Sequence, residues 1–282
     1  MANNLKTVIL LGLLSGIILF IGSLWGEQGL TIAFLMSVIM NIGGYFFSDK
    51  IALRMYNAQP VTREQAPRLY SIVEYLAARA AIPVPNLYVI PSDSPNAFAT
   101  GRNPSHASVA VTEGAMRLLD ENELTGVLAH ELAHVKNRDI LISSVAATLA
   151  SMIMWVANMA RFAAFFGGGR SGDEEEGGGG ALAGLATIII APIAAMLIQM
   201  WISRTREYEA DGSAASLIGS PHGLASALQK LDAYSKRLPM NASPSTAHML
   251  IIHPFSGGAL LNMFSTHPST QKRIERLLRQ RR

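Results

Sequence analysis

The amino-acid sequence predicts an α-helical membrane protein carrying an α+β domain with a small β-sheet or hairpin, and up to four transmembrane helices. Three observations predict this class. Half of the 282 residues are hydrophobic and 15 % are charged, whereas soluble domains carry about a quarter charged residues. The apolar residues gather in stretches of about 20, the length a helix needs to cross hydrocarbon. Between those stretches lie segments with the periods of strands and amphipathic helices. Cysteine is absent, which excludes disulfides and thiolate metal sites.

Four stretches are candidate spans: Thr7–Trp25, Leu30–Phe47, Ile140 to about Phe166, and Ala181–Ile202. Only Gly26-Glu27-Gln28-Gly29 separates the first two, so they form a tight hairpin. The short turn into a second span and the lack of a small-residue cleavage site argue against a cleaved signal peptide. The third stretch is weaker, since it carries Ser143, Ser144, Asn158 and Arg161; whether 140–202 crosses fully or forms a shallow hairpin stays open. Of the 23 Lys and Arg residues, all but Arg161 and Arg170 fall on one side of this arrangement. The positive-inside rule makes that side cytoplasmic. The basic tail Arg276–Arg282 fits anionic lipid headgroups; nothing else in the chain supports a nucleic-acid partner. The chain thus divides into a hairpin (1–48), a first cytoplasmic part (49–139), a second hydrophobic hairpin (140–202) around the Gly-rich acidic loop 167–180, and a second cytoplasmic part (203–282).

Within the first cytoplasmic part, Thr62 and Gln65 form a capping box, and a helix follows to about Ala80 with Leu69, Ile72, Val73 and Leu76 on one face. Pro83 and Pro85 break it. Asn86–Ile90 reads as a strand. Asn96–Thr100 and His106–Val111 read as two more, joined by the turn Gly101-Arg102-Asn103-Pro104. Extended substrates pair with exposed sheet edges, so either 106–111 or 96–100 is a candidate substrate edge; a purely structural hairpin fits the same residues.

The next helix starts at Asp120, with Glu123 completing a capping box, and contains His130-Glu131-Leu132-Ala133-His134. Residues four apart share a helix face, so both imidazoles reach one metal ion. Neutral imidazole suits zinc, which lowers the pKa of a bound water toward neutrality, and Glu131 flanks that face as a base for the water. The competing reading, an amphipathic helix with two surface histidines, lacks an account of this context. His134 precedes Ile140 by about 9 Å of helix rise, so the metal lies at the cytoplasmic membrane surface. After the last span, the helix Ser203-Arg204-Thr205-Arg206-Glu207-Tyr208-Glu209-Ala210-Asp211 emerges at the same depth. Glu207 is the third-ligand candidate, and Asp211, one turn on, can bond a ligating histidine and fix its tautomer. Glu209 points elsewhere. An exposed, ion-paired Arg/Glu helix is the alternative. A helix begins near Ser220-Pro221 and runs to about Arg237. His248 and His253 receive no role, and the last helix is Thr270–Arg282.

The residues His130–His134 with Asn137 and Asp139, and Ser203-Arg204-x-Arg206-Glu207-Tyr208-x-Ala210-Asp211, resemble the HtpX-type membrane metallopeptidases, bacterial relatives of the CAAX prenyl peptidases. Pro95-Asn96-Ala97-Phe98-Ala99 and Thr266-His267-Pro268 resemble family motifs as well, and the likeness covers nearly the whole chain. It implies a zincin-like catalytic domain holding one Zn2+ on His130, His134 and Glu207, with Glu131 as catalytic base. It implies a multi-pass endopeptidase of the bacterial inner membrane that removes misfolded membrane proteins in quality control and stress response. Asn96 by the substrate strand and His267 at the oxyanion are also implied. Rival readings are an enzyme that trims lipidated peptides, for which four spans leave little room, and a scaffold, which has no need of Glu131. A transporter lacks the paired broken helices it requires.

Overall fold

In the computed structural model the described residues are 25–145, 204–240, 249–252 and 268–279, with Thr246 and scattered positions between 8 and 23. The third and fourth hydrophobic stretches (apart from 140–145), the loop 167–180, His248, His253 and His267 lie outside them.

Helix α1 (Gly26–Met55) is the one helix among the described residues long and apolar enough to cross a membrane. Ile32, Phe34, Leu35, Ile39 and Ile42 are exposed along it, as side chains facing lipid are. The smaller Ala33, Ser37, Gly44 and Ser48 line its buried stripe. At its start Gly22 and Gly29 pack so closely that a Cβ on either would clash, and the Asn41 amide donates to the Ser15 hydroxyl at 2.8 Å; the expected first span falls partly outside the described residues. The helix outlasts the expected span by two turns, because no Gly or Pro stops it before Tyr56.

The sheet has the order β1-β2-β4-β3, from β1 (Gln59–Pro60), β2 (Asn86–Ile90), β3 (Ala97–Gly101) and β4 (Ala107–Thr112). β3 and β4 form the expected antiparallel hairpin, while β2 runs parallel to β4. Strand β4 is therefore central, and the expectation that 106–111 is a free edge is corrected. Strand β4 is buried on both faces. One face meets Leu69, Leu76 and Leu128; the other packs Phe98 and Ala110 against Ala52, Leu53 and Tyr56 at the end of α1. The outer edge belongs to β3.

Helix α2 (Pro67–Ala80) starts five residues after Thr62. The Gln65 side chain does accept from the Thr62 amide at 2.9 Å, but this bond closes a turn. The helix begins at Pro67, whose fixed φ suits a first helical position. A short helix α3 (Glu113–Leu118), capped by Thr112, leads into α4 (Glu121–Lys136), whose Asp120–Glu123 capping box is complete. Beyond the gap come α5 (Arg204–Ile218), α6 (His222–Ser235) and α7 (Thr270–Arg279).

Helix α4 is the axis of the domain, with α2, α5, α6 and β3 around it. Two glycines let α6 approach. A Cβ on Gly126 would lie 2.5 Å from the Leu224 amide nitrogen, and one on Gly223 would lie 2.4 Å from the Asn122 carbonyl oxygen. Glu123, buried beneath this crossing, also accepts from Ser226 at 2.6 Å and Lys230 at 2.7 Å. Gly126→Ala must separate two backbones, and a loss of about 1–3 kcal/mol is expected. Thermal unfolding measures it; an unchanged midpoint would show that the crossing is loose.

Candidate active site

The 3.6-residue period sets His130 and His134 one turn apart on α4, with their rings perpendicular and their Nε2 atoms 3.2 Å apart. Helix α5 brings Glu207 to the same point, 3.7 Å from Nε2 of His130 and 3.5 Å from Nε2 of His134. The three donor atoms lie within 4.8 Å of one another. Ligands bonded at about 2.0–2.1 Å around a tetrahedral ion sit roughly 3.4 Å apart, so these side chains fit a metal ion without rearrangement. Glu209 is exposed and takes no part.

Each histidine is fixed from behind. Asp211 meets Nδ1 of His130 at 3.0 Å, and Asp139 meets Nδ1 of His134 at 3.3 Å. With Nδ1 engaged, Nε2 is the atom each ring turns to an ion. Asp139 ends the turn after α4, where Arg138 takes a left-handed conformation (φ 59°) and the Asp139 amide bonds the His134 carbonyl.

Sequence reasoning did not find Arg273. Its guanidinium is fully buried and grips Asp211 with two hydrogen bonds, 2.9 and 2.7 Å, while Nη1 donates to the Ile251 carbonyl at 2.9 Å. The chain Arg273–Asp211–His130 thus runs from α7 to the metal-facing ring. The basic residues of the C-terminal helix looked alike in sequence, and the only signal available was position. Arg273 and Leu277, one turn apart, are the buried pair, while Arg276 and Arg279 are not.

The charges follow from this geometry. Burial lowers His130, helped by the Arg273 charge, to a pKa of about 4, so the ring is neutral. Burial opposes the charged form of His134, but its bond to Asp139 and the nearby Glu207 outweigh that and hold it at about 8 without a metal. Burial works against the Asp211 carboxylate as well, yet the Arg273 charge dominates and brings it to about 2. Glu131, buried beside the histidines, is pushed up by burial to about 7, although it accepts a hydrogen bond from the Ala99 backbone.

Glu131, the histidines and Glu207 border a small cavity of about 30 Å3. Asn96 does not line it. Its amide donates to the Ile252 carbonyl at 3.0 Å and its Oδ1 accepts from Ala97, so the side chain faces the 251–252 segment and not the cavity. The Ile251 amide in turn occupies the Ala97 carbonyl at 3.0 Å, closing one end of the β3 edge.

A sheet edge beside a helix with two histidines, a buried carboxylate between them, and a third donor from a following helix together define a metallopeptidase. The comparisons with known proteins agree. The model of peptidase family M48 matches residues 63–281, and the chain belongs to that family. It is 56 % identical over 278 residues to a "Protease HtpX homolog" of Desulforapulum autotrophicum, covering 98 % of this chain and 90 % of that protein. A second homolog of that name, from Syntrophobacter fumaroxidans, is 54 % identical over 98 % of this chain and 99 % of its own length. The crystal structure of S. mikatae Ste24p superposes with a TM-score of 0.51 at 19 % identity, over 94 % of this chain and 62 % of that one; the likeness is one of fold.

Removing the Arg273 charge leaves the Asp211 carboxylate buried without its cationic partner. Arg273→Met is expected to cost about 3–5 kcal/mol of stability and roughly 10–100-fold in metal retention. Arg273→Lys restores part of each, since an ammonium lacks the guanidinium fork. Unfolding and chelator competition read the two effects. Native retention in a folded Arg273→Met protein would show that His130 needs no such support. Asp211 also sets an acid limit. Its folded pKa of about 2 lies below the ordinary 3.8, so its contribution, on the order of 2 kcal/mol, is fully present above about pH 5 and lost as pH falls toward 2. Urea midpoints across that range should converge for the native protein and Asp211→Asn.

Proposed function

We propose that this metallopeptidase is a zinc-dependent endopeptidase of a bacterial inner membrane. It crosses the bilayer several times and acts at the cytoplasmic face on unfolded or misfolded membrane proteins. The observation that carries the reading is the convergence of His130, His134 and Glu207 on one point with Glu131 beside it. Zinc is the fitting ion, because two imidazoles, one carboxylate and no thiolate form a three-ligand set that leaves one position for water.

In the proposed mechanism His130, His134 and Glu207 hold the ion. When bound, it supplies Lewis acidity toward the scissile carbonyl and acidifies a water. Glu131 takes the water proton on its carboxylate and hands it to the leaving amine, acting as base and then acid. Its site suits this: burial raises the carboxylate's affinity for a proton, as a group that takes one from water and returns it requires. Asp211 and Asp139 keep the two rings in one tautomer and orientation. The substrate strand lies along β3 at Ala99, the β3 residue that borders the cavity; the Ala97 carbonyl is already bonded to Ile251 and the Gly101 amide to the Ser144 hydroxyl. An extended peptide bound by main-chain hydrogen bonds is accepted with little regard for its side chains, which suits unfolded substrates. Asn96 positions the segment beside that edge, and the contact of His267 with the oxyanion is carried by the family resemblance alone.

The placement of basic residues supports a cytoplasmic site, with 1–48 and 140–202 in the bilayer and 49–139 and 203–282 on the catalytic side. Helix α1 ends inside the domain core, and the helical residues 140–145 follow α4 directly.

Purified protein in detergent, supplied with zinc, is expected to cleave casein, while Glu131→Gln holds equal zinc and cleaves at least about a thousandfold more slowly. Mutant cleavage at the native rate would remove Glu131 from the mechanism. Glu207→Ala is expected to lose the metal; zinc retained at full occupancy would exclude Glu207 as the third ligand.

A further inference from the structure

We propose that Arg206 forms an anion subsite beside the catalytic centre and takes a carboxylate of the peptide substrate. The proposal rests on the peptidase reading above and adds a substrate preference to it. Arg206 precedes Glu207 in the first turn of α5 and is 6 % exposed. Nonetheless its Nε, Nη1 and Nη2 make no hydrogen bond among the described residues. The approach of Nη1 to Oδ1 of Asp139, 3.9 Å, exceeds hydrogen-bond range. The other oxygen of Asp139 is engaged with His134 at 3.3 Å.

The charges of Asp139, Glu207 and Glu209 act on this guanidinium, but donors withdrawn from water without hydrogen bonds cost free energy that an entering anion returns. The contrast with Arg273 is direct: that buried arginine is closed by a fork onto Asp211, and this one has no such fork, only the looser approach of Asp139. It lies beside the place where substrate arrives, because Arg206 borders the same cavity as Glu131, His134 and Glu207.

The planar fork matches a carboxylate, which accepts two parallel hydrogen bonds. The position favours a group displaced from the reacting carbonyl. Asp139 sits on the Nδ1 edge of His134, opposite the Nε2 that faces Glu207, and Arg206 approaches that Asp139. The carboxylate has two possible sources, an Asp or Glu side chain near the scissile bond, or the free C-terminus of the peptide.

The test uses the full-length, zinc-loaded protein in detergent and a short peptide whose scissile bond is mapped by mass spectrometry. One arm replaces flanking Gln by Glu, position by position; the other compares a free with an amidated C-terminus. In one arm the carboxylate form is expected to be cleaved with at least about tenfold higher kcat/KM, mainly through KM. The preference collapses in Arg206→Gln, at unchanged zinc content, and returns in part in Arg206→Lys. Equal cleavage of every pair by the native protein, or a preference that survives Arg206→Gln, overturns the subsite. Should Arg206→Gln not fold, the native ratios and Arg206→Lys decide. Binding of the same fluorescent peptides to Glu131→Gln reads the subsite without turnover. Failure of all cleavage therefore counts against the peptidase reading, and equal binding of acidic and neutral peptides counts against Arg206.

Discussion

Two hydrogen bonds hold the site together: Asp211 to His130 and Asp139 to His134. An imidazole can present either nitrogen, and two of them converge on one ion only if both choose the same one. An aspartate at each Nδ1 makes that choice. The two carboxylates are themselves buried, which is unfavourable without compensation. Arg273 supplies it fully for Asp211, and Arg206 supplies it loosely for Asp139. The metal-facing geometry therefore depends on residues from α5, the turn after α4, and α7, far apart in sequence.

Backbone contact makes this possible. The glycines at 126 and 223 allow α6 to lie against α4 at distances no side chain tolerates, and Glu123 bonds across the crossing to Ser226 and Lys230. A histidine face on a well-anchored helix keeps its aim while substrate and ion come and go. Fixing the frame rigidly and leaving only the cavity side open is how binding energy is directed to orientation.

Much of this was legible in the sequence. The capping box at Asp120 and the i,i+4 histidines follow local rules that the tertiary structure had no reason to override, and Glu207 does meet the two histidines. The hairpin of β3 and β4 was legible for the same reason. What escaped was long-range. The strand order, with β4 between β2 and β3, depends on a parallel pairing across a crossover that periodicity does not encode, and so the free edge was left between two candidates. The helix start at Pro67 was misplaced because the Thr62–Gln65 bond exists but closes a turn. Arg273 was hidden because a buried arginine and a solvated one have the same letter; only the position of Asp211, 62 residues away, separates them. Asp139 was visible as part of a motif, while its bond to His134 required the left-handed turn at Arg138.

The end of α1 shares a core with the sheet, through Ala52, Leu53 and Tyr56 against Ile90, Phe98 and Ala110. A long apolar helix is thus welded to the strand beside the active site, and any tilt or shift of the one passes to the other as in a rigid part. The protein is a lever with no joint between handle and blade: whatever grips α1 also aims the strand.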